Sequence, residues 1–201
     1  MKLILQLFIL SQLISGCGKQ SLAPGEYMKW IEDESNGLKV KRTLSDVIFT
    51  LQYRPVDYMV AQEFKADHIS PQQLAQRRQE LETALHFNLT LSADNETQPL
   101  KNNTGPDGYF ERVNHFLTDG ANDFKLRCGN DTFDCSLCHL EQTYGLAPVN
   151  TLVLAFEPRS TMPVSFAHDL VLIYEDKVLG TGTVKMKIEK EKLEQMPMMK
   201  H

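Results

Sequence analysis

Apolar and polar residues alternate through most of this chain, and in a few stretches the alternation gives way to a helical spacing. From Tyr27 to Ile31 the alternation predicts a strand, with Tyr27, Lys29 and Ile31 on one face and Met28 and Trp30 on the other. Asp33-Glu34-Ser35-Asn36-Gly37 then reads as a turn, because Asn-Gly is the strongest short hairpin signal. Leu38–Leu44 sets Leu38 and Val40 against Lys39 and Lys41, and Asp46–Tyr53 lines up Val47, Phe49, Leu51 and Tyr53. Two or three antiparallel strands are therefore expected first.

The period then lengthens. Pro55 opens a predicted helix carrying Val56, Met59, Val60 and Phe64 at helical spacing. A second helix has a marked start, with Ser70 as N-cap, Pro71 at the first helical position and Gln73 three after the cap; Leu74, Leu81 and Leu85 supply its apolar stripe. Leu85, Phe87, Leu89 and Leu91 return to period two, and Asp94–Gly108 reads as a polar loop. Tyr109–Leu117 predicts a third helix with Phe110, Val113, Phe116 and Leu117 inward. Phe124–Cys128 and Thr132–Leu140 predict strands around Gly129-Asn130-Asp131, and Asn150–Phe156 a strongly apolar strand. Asp169–Tyr174 and Val178–Ile188 form a predicted hairpin, with Gly180-Thr181-Gly182-Thr183 inside its second strand, and Glu189–Gln195 a short last helix. Strands at both ends with helices between describe one α+β domain over residues 26–201, built on an antiparallel sheet with two to four short helices.

Residues 1–16 do not fit that domain. Lys2 is followed by an apolar run, Leu3–Leu13, that is too short for a helix spanning the roughly 20 residues of a hydrocarbon core. A charged start, a short apolar run and small residues at its end describe an export signal. The next residues, Ile14-Ser15-Gly16-Cys17, resemble the lipobox of bacterial lipoprotein precursors. The resemblance covers the first 17 residues and implies cleavage after Gly16 and a diacylglycerol on Cys17. It also implies a chain anchored to the inner or outer membrane of the cell envelope, with the domain outside the cytoplasm, like the uncharacterised lipoproteins of Gram-negative bacteria. The lipid bilayer is then the expected partner, with residues 17–25 as a lipidated tether; an envelope protein partner stays open.

Composition narrows the remaining choices. The 201 residues are 42% hydrophobic and 23% charged, ordinary for a globular chain and unlike collagen, coiled coil or disordered sequence. Net charge −5 offers no basic stripe for phosphate backbones, so no nucleic-acid partner is expected. No Gly-x-Ser-x-Gly, His-Glu-x-x-His or phosphate loop occurs, and no catalytic residue is assigned. A binding or structural role is the leading expectation.

The cysteines hold the competing chemistry. Cys135-Ser136-Leu137-Cys138-His139 has the spacing of c-type haem attachment, in which two thiols form thioethers and the next histidine ligates iron. Met162-Pro163 resembles the pair that supplies a second axial ligand in cytochromes c. The surroundings argue the other way: the motif lies in an alternating run, which would point Cys135 and Cys138 to opposite faces. Cys128, Cys135, Cys138 and His139 could form a Cys3His zinc site, though adjacent ligands are awkward. A thioredoxin-like pair lacks its helix start. The plainest expectation is no cofactor, with either a structural disulfide from Cys128 to Cys135 or to Cys138 and one thiol left over, or inert buried thiols. His139 and Glu141 share a face, His68, His86, His115 and His168 are scattered, and Met196, Met198, Met199 and His201 form a methionine-rich end.

Overall fold

The structure is a computed structural model that describes residues 19–64, 70–94, 97–102, 104–141, 147–158 and 167–200. In chain order its regular elements are strand β1 (Ser21–Leu22), helix α1 (Pro24–Glu32), strands β2 (Lys39–Leu44) and β3 (Val47–Arg54), helices α2 (Val56–Glu63) and α3 (Pro71–Leu81), and strand β4 (Leu85–Ala93). Helix α4 (Pro106–Thr118) follows, then strands β5 (Phe124–Cys128), β6 (Asp131–Leu140), β7 (Asn150–Phe156), β8 (Leu170–Glu175) and β9 (Thr183–Ile188), helix α5 (Lys190–Glu194) and strand β10 (Met198–Met199). This is an α+β domain on an antiparallel sheet.

Eight strands pair in the order β2-β3-β4-β7-β6-β5-β8-β9, all antiparallel. Strict alternation buries one face of them: Val47, Phe49, Leu51 and Tyr53 on β3, Leu85, Phe87, Leu89 and Leu91 on β4, and Leu170, Leu172 and Tyr174 on β8. The sheet curls so that this face meets itself. The ring of Phe49, on the second strand in the order, lies 6.2 Å from that of Tyr174, on the seventh, and Tyr174 stacks on Phe124 at 4.6 Å. The edge strands approach each other as well, where Arg42 of β2 donates a 2.7 Å hydrogen bond to the Lys185 carbonyl on β9. The result is a nearly closed barrel whose core is its own inner face.

Local signals explain the helix starts. The Ser70 hydroxyl accepts from the Gln73 N–H, and the Gln73 side chain accepts from the Ser70 N–H, a reciprocal capping box. Tyr27–Ile31 is helix rather than strand. Tyr27 and Ile31 are both buried and four apart, a spacing that satisfies either period; Pro24 at the first position and Glu26 reaching back to the Ala23 N–H decide for helix. The Asn36-Gly37 turn therefore links a helix to β2 and is not a hairpin, and α1 takes the count of α-helices among the described residues to five, above the two to four expected. Residues 21–25, read as tether, already belong to the fold, since Ser21–Leu22 pairs with Met198–Met199 and Pro24 opens α1.

Helix α4 buries Phe116 and packs Tyr109 and Val113 on the core, whereas Phe110 and Leu117, expected inward, are exposed. Those two are seven residues apart and share the outer side of the helix.

Phe87 is completely buried between Tyr53 at 5.3 Å and Phe156 at 5.8 Å, ring centre to ring centre. Phe87→Ala is expected to cost about 4 kcal/mol of unfolding free energy, measured by urea titration.

Candidate functional site

Helix α4 presents Gly108, Glu111, Arg112 and His115 at positions i, i+3, i+4 and i+7, one stripe of the helix. Across from that stripe lie Lys177 and Val178, from the segment joining β8 to β9. Together with Thr104 they line an open cleft of about 300 Å³. A Cβ at Gly108 would fall 1.8 Å from the Thr104 hydroxyl oxygen, so a larger residue there would displace the Thr104 side chain from the cleft wall.

The far wall is rigid. Asp176 Oδ1 accepts hydrogen bonds from the Tyr174 hydroxyl and from the Val178 and Leu179 N–H groups, at 2.8–2.9 Å. Its Oδ2 accepts from the Thr181 N–H at 2.6 Å and the Thr181 hydroxyl at 2.7 Å. Gly180 and Gly182 both take φ 75°, the left-handed backbone that lets the loop wrap one carboxylate. Burial pushes the Asp176 carboxyl up, but these hydrogen bonds outweigh it and hold its pKa below the ordinary value. Gly180 to Gly182, expected inside a strand, are the loop itself; β9 begins only at Thr183.

Behind the cleft, Asp123 is a buried carboxylate with no exposed side-chain surface. His115 Nε2 lies 2.5 Å from Oδ2, and the Lys177 ammonium 2.7 Å from Oδ1. A carboxylate only accepts, so His115 carries its proton on Nε2. Asp123 raises the Lys177 pKa through that hydrogen bond and its charge. Removing a carboxylate from water costs several kcal/mol unless partners offset it. Here both partners line the cleft, so Asp123 fixes two nitrogen groups of the site at once. Arg112 is held differently: its Nη1 donates to the carbonyls of Pro99, Leu100 and Asn102 at 3.4, 3.2 and 2.9 Å.

The cysteine cluster is rearranged by one residue. Along β6, Cys135 opposes Phe156, Leu137 opposes Ala155 and Cys138 opposes Leu154, so Ser136 is an extra residue in a bulge. Phe156 and Leu154 both point into the barrel, which puts Cys135 and Cys138 on the same inner face. The expectation of opposite faces fails for this reason. Both are free thiols, as is Cys128. Burial raises the Cys135 pKa to about 11 and, with Cys135 and Asp123 nearby, that of Cys138 to about 12. Cys138 packs under the turn that carries Asp123, since a Cβ on Gly120 would lie 3.1 Å from its sulfur.

The other expected groupings do not form. Cys128 opposes Asp131 at the closed end of the hairpin, while Lys125 opposes Asp134. Cys128 and Cys135 are therefore about four residues, or ~13 Å, apart along the strands, beyond the ~7 Å Cα reach of a disulfide; Cys138 is farther still. His139 opposes Val153 on the outer face and is exposed, so Cys135, Cys138 and His139 do not converge on one porphyrin, nor do Cys128, Cys135, Cys138 and His139 on one zinc ion. Glu141 is likewise exposed at the end of β6. Cys17, His68, Met162-Pro163 and His201 lie outside the described residues.

Sequence reasoning missed Asp123, His115, Lys177 and Arg112, because they come from three places in the chain that only the fold unites. The one readable hint was Asp176 followed by Gly180-Thr181-Gly182, an aspartate with glycines suited to a wrapped loop.

No protein-family model matches this chain. No curated protein matches it either. A solved chain described as a novel protein of unknown function from Burkholderia pseudomallei K96243 is similar at 10% identity and a TM-score of 0.37, over 88% of this chain and 94% of that one. A likeness at that score carries no argument about function.

Two outcomes follow from this geometry. Because the Asp176 pKa is depressed, its stabilisation is complete above the ordinary value of 3.8 and is lost as pH falls through the lower folded value. Asp176→Asn should therefore lower stability at neutral pH and flatten acid unfolding below about pH 4, followed by circular dichroism. For the thiols, mild oxidation followed by alkylation and peptide mass mapping should show any intramolecular disulfide joining Cys135 to Cys138, with Cys128 unpaired.

Proposed function

We propose that this chain is a cell-envelope lipoprotein whose domain is a binding module held close to the bilayer by acylated Cys17. The observation that supports it is how soon the fold begins. The Met198 N–H donates to the Gln20 carbonyl at 2.9 Å, and the Lys200 N–H to the Leu22 carbonyl at 2.8 Å. Gln20 is only three positions after Cys17, a reach of at most about 10 Å. A lipid on Cys17 would set the β1–β10 edge against the headgroups, with Lys19, Lys200 and the exposed Met198 on that side. No helix among the described residues is long and apolar enough to cross a membrane. Several acyl chains hold far more strongly than one.

A second reading has its own observation, the bulge that turns Cys135 and Cys138 to one face. In this reading the two thiols give up two electrons and two protons to a disulfide of a partner oxidoreductase, whose cysteines are reduced as a Cys135–Cys138 bond forms. The raised thiol pKa values make this pair a slow nucleophile at neutral pH.

Fractionation tests the anchor. The protein is expected in the membrane fraction, with an acylated residue 17 in its mass spectrum, and Cys17→Ser is expected to release it as soluble protein. Membrane retention of Cys17→Ser, or an unmodified Cys17 in the membrane-bound protein, would overturn the reading.

A further inference from the structure

We infer that the cleft between α4 and the Asp176–Gly182 loop is a binding site for a small ligand bearing an oxyanion, a carboxylate or a phosphoryl group. The inference rests on reading the domain as a binding module and is independent of the anchor.

The donors in the cleft are fixed before any ligand arrives. The Lys177 ammonium is held by its 2.7 Å ion pair with Asp123 Oδ1, and its N–H donors remain available to a ligand. Its backbone is held by the loop wrapped around Asp176, so the side chain extends from a rigid base. The three carbonyls on Arg112 Nη1 set the plane of the guanidinium. No carboxylate pairs with Arg112 among the described residues, and its remaining nitrogens are suited to the forked geometry of an oxyanion. His115, locked to Asp123 through Nε2, completes the floor. Preformed donors of this kind bind with little ordering cost.

The lining also limits the ligand. Val178 is the only apolar side chain among Thr104, Glu111, Arg112, His115, Lys177 and Val178, so an acyl chain is poorly matched. Glu111 at the cleft opposes polyanions and offers an acceptor for a ligand hydroxyl or amine. A volume of about 300 Å³ is at the small end of ligand sites. Asp123 supplies the reason for burying a carboxylate here: it holds Lys177 and His115 in place for the ligand.

The test uses the full-length protein, in detergent where it is acylated, titrated separately with inorganic phosphate, acetate and glucose at constant ionic strength. Amide NMR shifts of Gly108, His115, Lys177 and Val178 are the readout. Saturable shifts with phosphate or acetate are expected, and the tighter of the two identifies the phosphoryl or the carboxylate class. Lys177→Gln, whose amide still offers a donor to Asp123 and whose folding is checked by circular dichroism, should weaken binding about tenfold or more, the loss of one charge-assisted hydrogen bond. Lys29→Gln on α1 should leave affinity within about twofold. Absence of saturable shifts with both anions, equal binding by Lys177→Gln, or a response to glucose alone would overturn the inference. An unacylated protein that binds the anion removes the anchor and keeps the cleft; an acylated protein that binds neither anion does the reverse.

Discussion

The constraint on which the structure depends is that a sheet with one apolar face needs a surface to bury it against. The helices here are short and cannot cover eight strands. The sheet curls instead, until Phe49 on one side meets Tyr174 on the other and Arg42 reaches from β2 to the Lys185 carbonyl on β9. Burial of that shared interior is the main driving force for the fold. The closure also reduces the exposure of two free strand edges, which would otherwise be templates for pairing with other chains.

Closure decides what comes near what. Helix α4 and the Gly120–Asp123 turn pack against β6, so His115 and Asp123 sit beside the bulged stretch that carries Cys138. On the other side, β8 runs next to β5 and brings the Asp176 loop, with Lys177, against the same turn. The cleft thus forms where a helix, a turn and a hairpin loop meet over one corner of the barrel. Two carboxylates organise it in different ways. Asp176 satisfies backbone N–H groups and makes a loop stiff, whereas Asp123 is buried and positions side chains that reach the cleft.

Much of the fold was legible because its signals are local. Period two over Val47–Tyr53, Leu85–Leu91 and Phe124–Cys128 is set by the geometry of a pleated strand with one buried face. Ser70-Pro71-x-Gln73 carries its own helix start in four residues. The errors fall where two local signals agree with different structures. Tyr27 and Ile31 suit a strand or a helix, and only capping at Ala23 and Glu26 separates them. Phe110 and Leu117 look like core residues by type, yet the side of α4 that meets the barrel is the one bearing Tyr109, Val113 and Phe116.

By itself the sequence determined the class of the domain, the eight strands of the main sheet, which residues in most of them face inward, and the Ser70 cap of α3, since each depends on neighbours within a few positions. Tertiary structure alone decided the chemistry that the domain can present. A single extra residue at Ser136 reverses the facing of everything after it on β6, which brings Cys135 and Cys138 together and sends His139 outward. Register of this kind is set by pairing with β7, and no pattern within the motif reveals it. The cleft is a matter of distance along the chain: His115 and Asp123 are eight residues apart, but Lys177 comes from another hairpin. Only the curling of the sheet makes them neighbours.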